Sequence, residues 1–320
     1  MLELFTLVHD RIEHLEHVQL GRTVTWMRTI GRGTVWIRCL KPDADDISTL
    51  SQLSRIPIDE LKDSIEEPER PKLSTIRHLE IVYSVPAIEE DDVVTKPFYI
   101  YVSGNMIITI EKAESQIIKD TISAMKANKK RFLFRKPIDG FVVYLLDNFN
   151  DDFLRFIDRI SVRVDLFKEK GSLSKESIEK IYDSSLTLSY FNQSLIANLE
   201  VLNELRKSYY KIFTQDTRNQ FSELYLDVLQ IIDTEKIQRE GVSNLFNMQS
   251  IMTTNKLNSF MKTVTLLAII IAVPTLISGI YGMNVELPLS DNKYVFYMLM
   301  GLMAIISLLL IWAFRVFEKR

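Results

Sequence analysis

Thr263–Val285 reads TVTLLAIIIAVPTLISGIYGMNV and Tyr294–Phe314 reads YVFYMLMGLMAIISLLLIWAF, and neither run holds a charged side chain. A hydrocarbon layer about 30 Å thick needs roughly 20 apolar residues of helix to cross it, and both runs have that length. Core helices of soluble proteins rarely stay uncharged for so long. Tyr281, Tyr294, Phe296, Tyr297, Trp312, Phe314 and Phe317 gather at the ends of the runs, where aromatic rings sit at a membrane interface. Pro274 is tolerated in a membrane helix, whose neighbours re-satisfy the freed backbone groups. Two spans are predicted, 263–285 and 294–314, joined by a short loop, 286–293, and followed by a basic tail, 315–320.

The loop carries Glu286, Asp291 and Lys293, while Lys256 and Lys262 precede the first span and Arg315, Lys319 and Arg320 follow the second. Basic flanks stay on the cytoplasmic side, so the loop is expected outside and both termini inside. Glu3, Asp10, Arg11 and Glu13 interrupt the opening residues too early for a secretory signal or transit peptide. A two-span protein of the plasma or inner membrane is expected, surrounded there by lipid.

The 320 residues carry 39 basic and 42 acidic side chains, a net charge of -3 and a mean hydropathy of +0.03. That average blends a highly charged body with the two apolar runs. A single cysteine, Cys39, excludes a disulfide framework and Cys-based structural zinc. The near balance of charge before Thr263 argues against nucleic acid as a partner. Prolines punctuate the chain up to Pro137 and then vanish until Pro274. A proline-free stretch with three glycines reads as long helices. Phe153, Phe156, Ile157, Ile160, Val164 and Phe167 give one of them an apolar stripe. Gly171-Ser-Leu-Ser marks a turn, with Ser174 as N-cap of the next helix.

Residues 1–137 have a different texture. Thr34–Leu40, His78–Val85, Phe98–Val102 and Met106–Ile110 read as strands, the last two joined at Ser103-Gly104-Asn105. Ile47–Ser54 and Ile58–Glu66 read as helices. The organisation expected is an α+β cytoplasmic domain with a mixed sheet, 1–137, then a long helical hairpin, 138–212, and a stalk helix, 213–262, that runs into the first span.

No catalytic set is found. His14-Leu-Glu-His17 has the wrong spacing for a zinc protease; it reads as a solvated polar stretch, with a surface metal cluster as the alternative. The roles of His9, His14 and His17 stay open. Gly31-Arg-Gly33 lacks the lysine and third glycine of a phosphate loop and reads as a turn. Cys39 reads as a small buried residue, not a nucleophile. An enzyme with an organic cofactor is not expected.

The informative pattern runs back from Gly282 every three or four residues: Gly279, Thr275, Ala272, Ala268, Thr265, Met261, Asn258, Thr254, Ile251, Asn247 and Asn244. Most are small or polar, while Leu266, Leu267, Ile269, Ile270, Ile271, Val273 and Ile277 beside them are bulky. Such a face either packs tightly on another helix or lines a pore. Periodicity alone does not separate the two, and two spans cannot enclose a pore without further copies of the chain.

Tyr281-Gly282-Met283-Asn284 ends the first span, just before a short acidic loop. Pro274-Thr275-Leu276-Ile277-Ser278-Gly279-Ile280 precedes it, and Asp63-Ser-Ile-Glu-Glu-Pro-Glu-Arg70-Pro71-Lys72 lies far upstream. In these segments the chain resembles the CorA family of magnesium channels over nearly its whole length. The resemblance implies a funnel-shaped homopentamer that takes up Mg²⁺, with Co²⁺ and Ni²⁺ as further cargo, driven by membrane potential and gated by cytoplasmic Mg²⁺. It implies a selectivity filter at Gly282, Met283 and Asn284, with Met283 packing the loop. It implies a pore lined by Asn247, Asn258, Met261, Val264, Thr265, Ala272 and Thr275, and a regulatory metal site between subunits at Asp63 and Glu223. Ala272 departs from the bulky residue of some relatives, and Lys62 stands where others carry an acid. A zinc transporter of the same superfamily and a membrane-tethered coiled-coil scaffold or sensor are the competing functions. The absence of His and Cys from the stripe disfavours zinc.

Overall fold

The computed structural model describes every residue except 17, 19–22, 24–32, 67–68, 76–77, 90–91, 136–137, 170–173, 208–212, 286–293 and 319–320. His17, Gly31, Gly171, the charged loop and the last two basic residues therefore lie outside the described residues. The chain forms two compact units, Met1–Leu245 and Phe246–Arg320.

The first unit is organised on a mixed sheet. Leu2–Val8 (β1) and Arg11–Glu16 (β2) form an antiparallel hairpin, and β1 also pairs antiparallel with Val35–Leu40 (β3). Ala44–Ser54 (α1) and Ile58–Glu66 (α2) follow, then Lys72–Ser74 (β4) and Leu79–Glu89 (β5). Asp92–Ser103 (β6) and Met106–Glu111 (β7) complete the sheet, in which β7 returns parallel to β3. Among the described residues the order is β2-β1-β3-β7-β6-β5-β4. The central strands are apolar on both sides, which is how a doubly covered strand reads.

Gln116–Lys126 (α3) and Phe132–Arg135 (α4) lead to the long helices Ile138–Glu169 (α5) and Lys175–Leu205 (α6). On one face of the sheet, Ile37, Cys39, Tyr99, Tyr101, Ile108 and Ile110 pack with Ile47, Leu50 and Leu61 of α1 and α2. On the other, Trp36 meets Phe141 at 5.4 Å and Phe98 meets Phe149 at 4.6 Å between ring centroids. The amide of Asn198 on α6 accepts from the Ser84 N–H and donates to the Ser84 carbonyl, both at 2.8 Å. It serves β5 as a neighbouring strand would.

Several sequence expectations meet their structural counterparts here. The Ser103–Met106 hairpin forms with Gly104 at φ 61°, a left-handed conformation that suits glycine. Ser174 caps α6, its hydroxyl accepting from the Ser177 N–H. Cys39 is buried, and loss of solvation, reinforced by Asp46, pushes its thiol up to about 12. The reading of His14 as part of a solvated stretch is overturned. His14 lies in β2, stacked on Phe5 at 4.4 Å and hydrogen-bonded to Glu3 at 3.0 Å. That hairpin was invisible because its turn, His9-Asp10, holds two left-handed residues with no glycine. Asp10 is fixed in place by ion pairs to Arg131 and Arg135.

Gln215–Tyr281 (α7) is a single helix of 67 residues. Phe221, Leu224, Val228 and Ile231 bury one side of its first part. Its start is held by Asp139, which is 3% exposed: the carboxylate accepts from the Thr217 hydroxyl at 2.7 Å and from the Thr214 N–H at 3.3 Å. An anion there also complements the helix dipole. Asp139→Ala should lower unfolding free energy by about 1–2 kcal/mol, the cost of a lost N-terminal cap, and Asp139→Asn by less. Chemical denaturation of the purified chain measures both.

Candidate ion pathway

The second unit holds the end of α7 and Val295–Glu318 (α8). Both helices are long and apolar enough to cross a membrane. Every residue named above for the pore, Asn247, Asn258, Met261, Val264, Thr265, Ala272 and Thr275, lies on α7 and is exposed in the single chain. None of the described residues buries them. Gly279 makes the same point, because a Cβ built there meets nothing within 4 Å.

Two threonines of this face bond back to their own helix. The Thr265 hydroxyl donates to the Met261 carbonyl at 2.8 Å and the Thr275 hydroxyl to the Ile271 carbonyl at 2.7 Å. With their protons committed to the helix, these oxygens have lone pairs left for an ion or its waters. Asn258, Met261 and Thr265 share a cavity of about 670 Å³ with Asn255 and Lys262, bordered by Phe314 of α8.

Gly282 ends the helix, its N–H donating to the Ser278 carbonyl at 2.9 Å. A Cβ at Gly282 would stand 3.2 Å from that same oxygen. The Met283 N–H still reaches the Ile280 carbonyl at 3.3 Å, and Met283, whose side chain is exposed, and Asn284 then leave the helix. Gly282, Met283 and Asn284 thus lie together at the helix exit.

Asp63 is exposed on α2 and Glu223 is exposed on α7. Among the described residues no hydrogen bond or ion pair joins the two. The structure also brings together acids that sequence spacing did not single out. Asp147 and Asp151 of α5 face Asp227 of α7 across a cavity of about 320 Å³, with Gln230 and Thr234 on its wall. Partial withdrawal from water, reinforced by Asp151 and Asp227, pushes the Asp147 carboxyl above the usual carboxylate range. The i, i+4 spacing of Asp147 and Asp151 was a legible signal; the approach of Asp227 from a distant helix was not.

An α/β body followed by two helices long and apolar enough to cross a membrane has the make-up of an integral membrane protein. Residues 31–319 match the model of the family described as CorA-like Mg2+ transporter protein. The cobalt/magnesium transport protein CorA of Methanocaldococcus jannaschii is 31% identical over 285 residues, 88% of this chain and 90% of that one. The cobalt/magnesium transport protein CorA of Thermotoga maritima is 27% identical over 189 residues, 58% of this chain and 54% of that one. The complete structure of the CorA magnesium transporter from M. jannaschii superposes with a TM-score of 0.86 at 28% identity, covering 98% of this chain and 97% of that one. The chain belongs to the CorA family of magnesium and cobalt transporters, whose members move ions and are not enzymes.

The two glycines separate local strain from space needed outside the chain. Gly282→Ala should disturb the helix exit and reduce Mg²⁺ flux into proteoliposomes. Gly279→Ala is unstrained within the chain, so a flux loss there at normal protein level would report a neighbour or ion across that face. Unchanged flux in both variants would leave the helix exit without a role.

Proposed function

We propose that the chain forms a passive Mg²⁺ uptake channel, driven by membrane potential, that also admits Co²⁺ and Ni²⁺ and closes when cytoplasmic Mg²⁺ is high. The observation that carries this reading is the α7 face of neutral oxygens and small residues leading to Gly282-Met283-Asn284. Mg²⁺ gives up its water reluctantly and wants octahedral oxygen. Amide oxygens of Asn284 and carbonyls of Gly282 can hold it through its waters without the tight grip of carboxylates, and conduction needs release as well as binding. Thr275, Thr265, Asn258 and Asn247 extend the oxygen path, while Met261, Val264 and Ala272 give apolar stretches where a closed pore sheds water. Two spans cannot surround a path, so the channel is a ring of copies, five by resemblance to the family. In it, 213–262 serves as stalk, 263–285 as pore and 294–314 as outer span, with the body and both termini in the cytoplasm.

Inward movement of a divalent ion gains about 4.6 kcal/mol per 100 mV, twice the single-charge value, so no nucleotide is required. Such a channel overloads the cell unless internal Mg²⁺ closes it. Asp63 and Glu223, each exposed on its own chain, would meet across neighbouring copies and hold a hydrated Mg²⁺, which takes one or two carboxylates. Occupied, the pair holds the ring closed; emptied, its like charges push the copies apart. The ion shifts the gate only by its preference for the closed state.

Asn284→Ala should nearly abolish potential-driven Mg²⁺ uptake in proteoliposomes while membrane assembly persists, with Met283→Leu milder. Normal flux through the Asn284 variant would sink the filter assignment. Replacing Asp63 and Glu223 together by alanine should leave flux running at high internal Mg²⁺ with ion preference unchanged. Closure of that variant at the parent's internal Mg²⁺ would move the sensor elsewhere, and the Asp147–Asp151–Asp227 cavity would be tested next.

A further inference from the structure

The N-terminal hairpin carries a charge problem that the ion pathway does not explain. Glu3 of β1 stands directly opposite Glu16 of β2, and like charges so placed repel. Glu3 is 4% exposed and Glu111 1%, and both point at one guanidinium, that of Arg38. Arg38 donates to Glu3 at 3.0 Å and to Glu111 at 2.6 Å, and its remaining nitrogen approaches Glu114 at 3.7 Å. Lys126 reaches Glu16 at 3.2 Å and Lys119 reaches Glu114 at 3.7 Å. Among the described residues, Arg38, Lys126 and Lys119 face these four carboxylates.

His14 sits among them. Its Nε2 lies 3.0 Å from Glu3 Oε1 and its Nδ1 3.6 Å from Glu16 Oε1. A neutral imidazole donates from one nitrogen only. Without a cation at the other, one of these contacts sets a lone pair against a carboxylate. The Phe5 ring, parallel to the imidazole within 6°, keeps it from turning away.

We propose that His14 Nε2 and Glu3 Oε1 are the protein ligands of a first-row divalent metal ion such as Co²⁺, Ni²⁺ or Zn²⁺. Ligands about 2.1 Å from one ion and at right angles around it lie about 3 Å apart, as these two atoms do. The surrounding groups have the arrangement that supports a metal-bound histidine. The Glu16 carboxylate faces Nδ1 at 3.6 Å, and Arg38 holds the second oxygen of Glu3. An imidazole ligand favours these ions over Mg²⁺, so the site is distinct in chemistry from the oxygen-lined pathway. Solvent on the Glu16 side supplies the remaining ligands.

The proton is the competitor, and Co²⁺ titration of the purified full chain separates the two. With a large excess of Mg²⁺ occupying oxygen sites, equilibrium dialysis and visible absorption should find one retained Co²⁺ per chain. Its affinity should fall as pH drops, because the proton competes for Nε2. His14→Gln keeps polar contacts to both carboxylates but should weaken this Co²⁺ at least tenfold, and the exposed Glu16→Gln roughly tenfold. Both variants should keep the parent's metal-free melting temperature and Mg²⁺ flux. Absence of Mg²⁺-resistant Co²⁺ from the parent would assign His14 a proton only. Equal binding in the His14 and Glu16 variants would place the ion elsewhere. Either result overturns the proposal.

Discussion

Inside hydrocarbon a helix must spend every backbone N–H and C=O on itself, so oxygen for an ion has to come from side chains or from the place where the helix stops. Both sources occur on α7. Thr265 and Thr275 turn their protons back onto the helix and leave oxygen lone pairs outward. Gly282 then ends the helix, with its N–H on the Ser278 carbonyl and the Met283 N–H on the Ile280 carbonyl, and Asn284 follows beyond it. A charged side chain would offer stronger ligation, but at membrane depth it is costly and holds a divalent ion too well. Neutral oxygens at regular intervals resolve both constraints.

The same helix has another requirement at its beginning, where water is plentiful and a loose end would fray. Asp139, at the start of α5, closes that end through Thr217 and Thr214. Further along, Glu235 is fully buried and held by Asn192 of α6 at 2.7 Å and Arg239 at 3.0 Å. Burial raises the Glu235 carboxyl above its usual range despite these partners. These polar ties are specific where apolar packing is adaptable, so they fix the rotation of α7 against its neighbours in the first unit. On a helix, that rotation decides which residues share a face.

The parts of the fold that could be read from sequence are those in which one residue class dominates a long stretch. The uncharged runs gave the spans, and the loss of proline after Pro137 gave the long helices. The parts that could not be read depend on partners far away. β1 and β2 carry Glu3, Glu13 and Glu16, and such acids look like surface until Arg38 and Lys126 are brought opposite. Their turn, His9-Asp10, becomes intelligible only once Arg131 and Arg135 hold Asp10. β4 is three residues long and α3 lies in a stretch with no start signal beyond Ser115, whose side chain makes no cap. The stripe on α7 was legible as a pattern but not as a site, because its residues are exposed on the single chain.

Two ways of meeting a divalent ion therefore lie at opposite ends of one sequence, and their chemistry keeps them apart. The α7 face is uncharged, repeated along a helix and open, which suits an ion that keeps its water and must move on. The hairpin cluster is charged, single and buried on its Glu3 side, which suits an ion or proton that exchanges part of its water for fixed ligands and stays. Burial decides the difference as much as ligand type does. Burial lifts the Glu111 carboxyl above its usual range, and the hydrogen bond from Arg38 opposes that lift. Removing a cation from such a cluster leaves an uncompensated buried charge, which is far costlier than an empty site on a solvated face. On the functions proposed above, the hairpin would therefore answer to whichever cation occupies it, whereas the oxygens of α7 would tolerate being vacated at each passage of an ion.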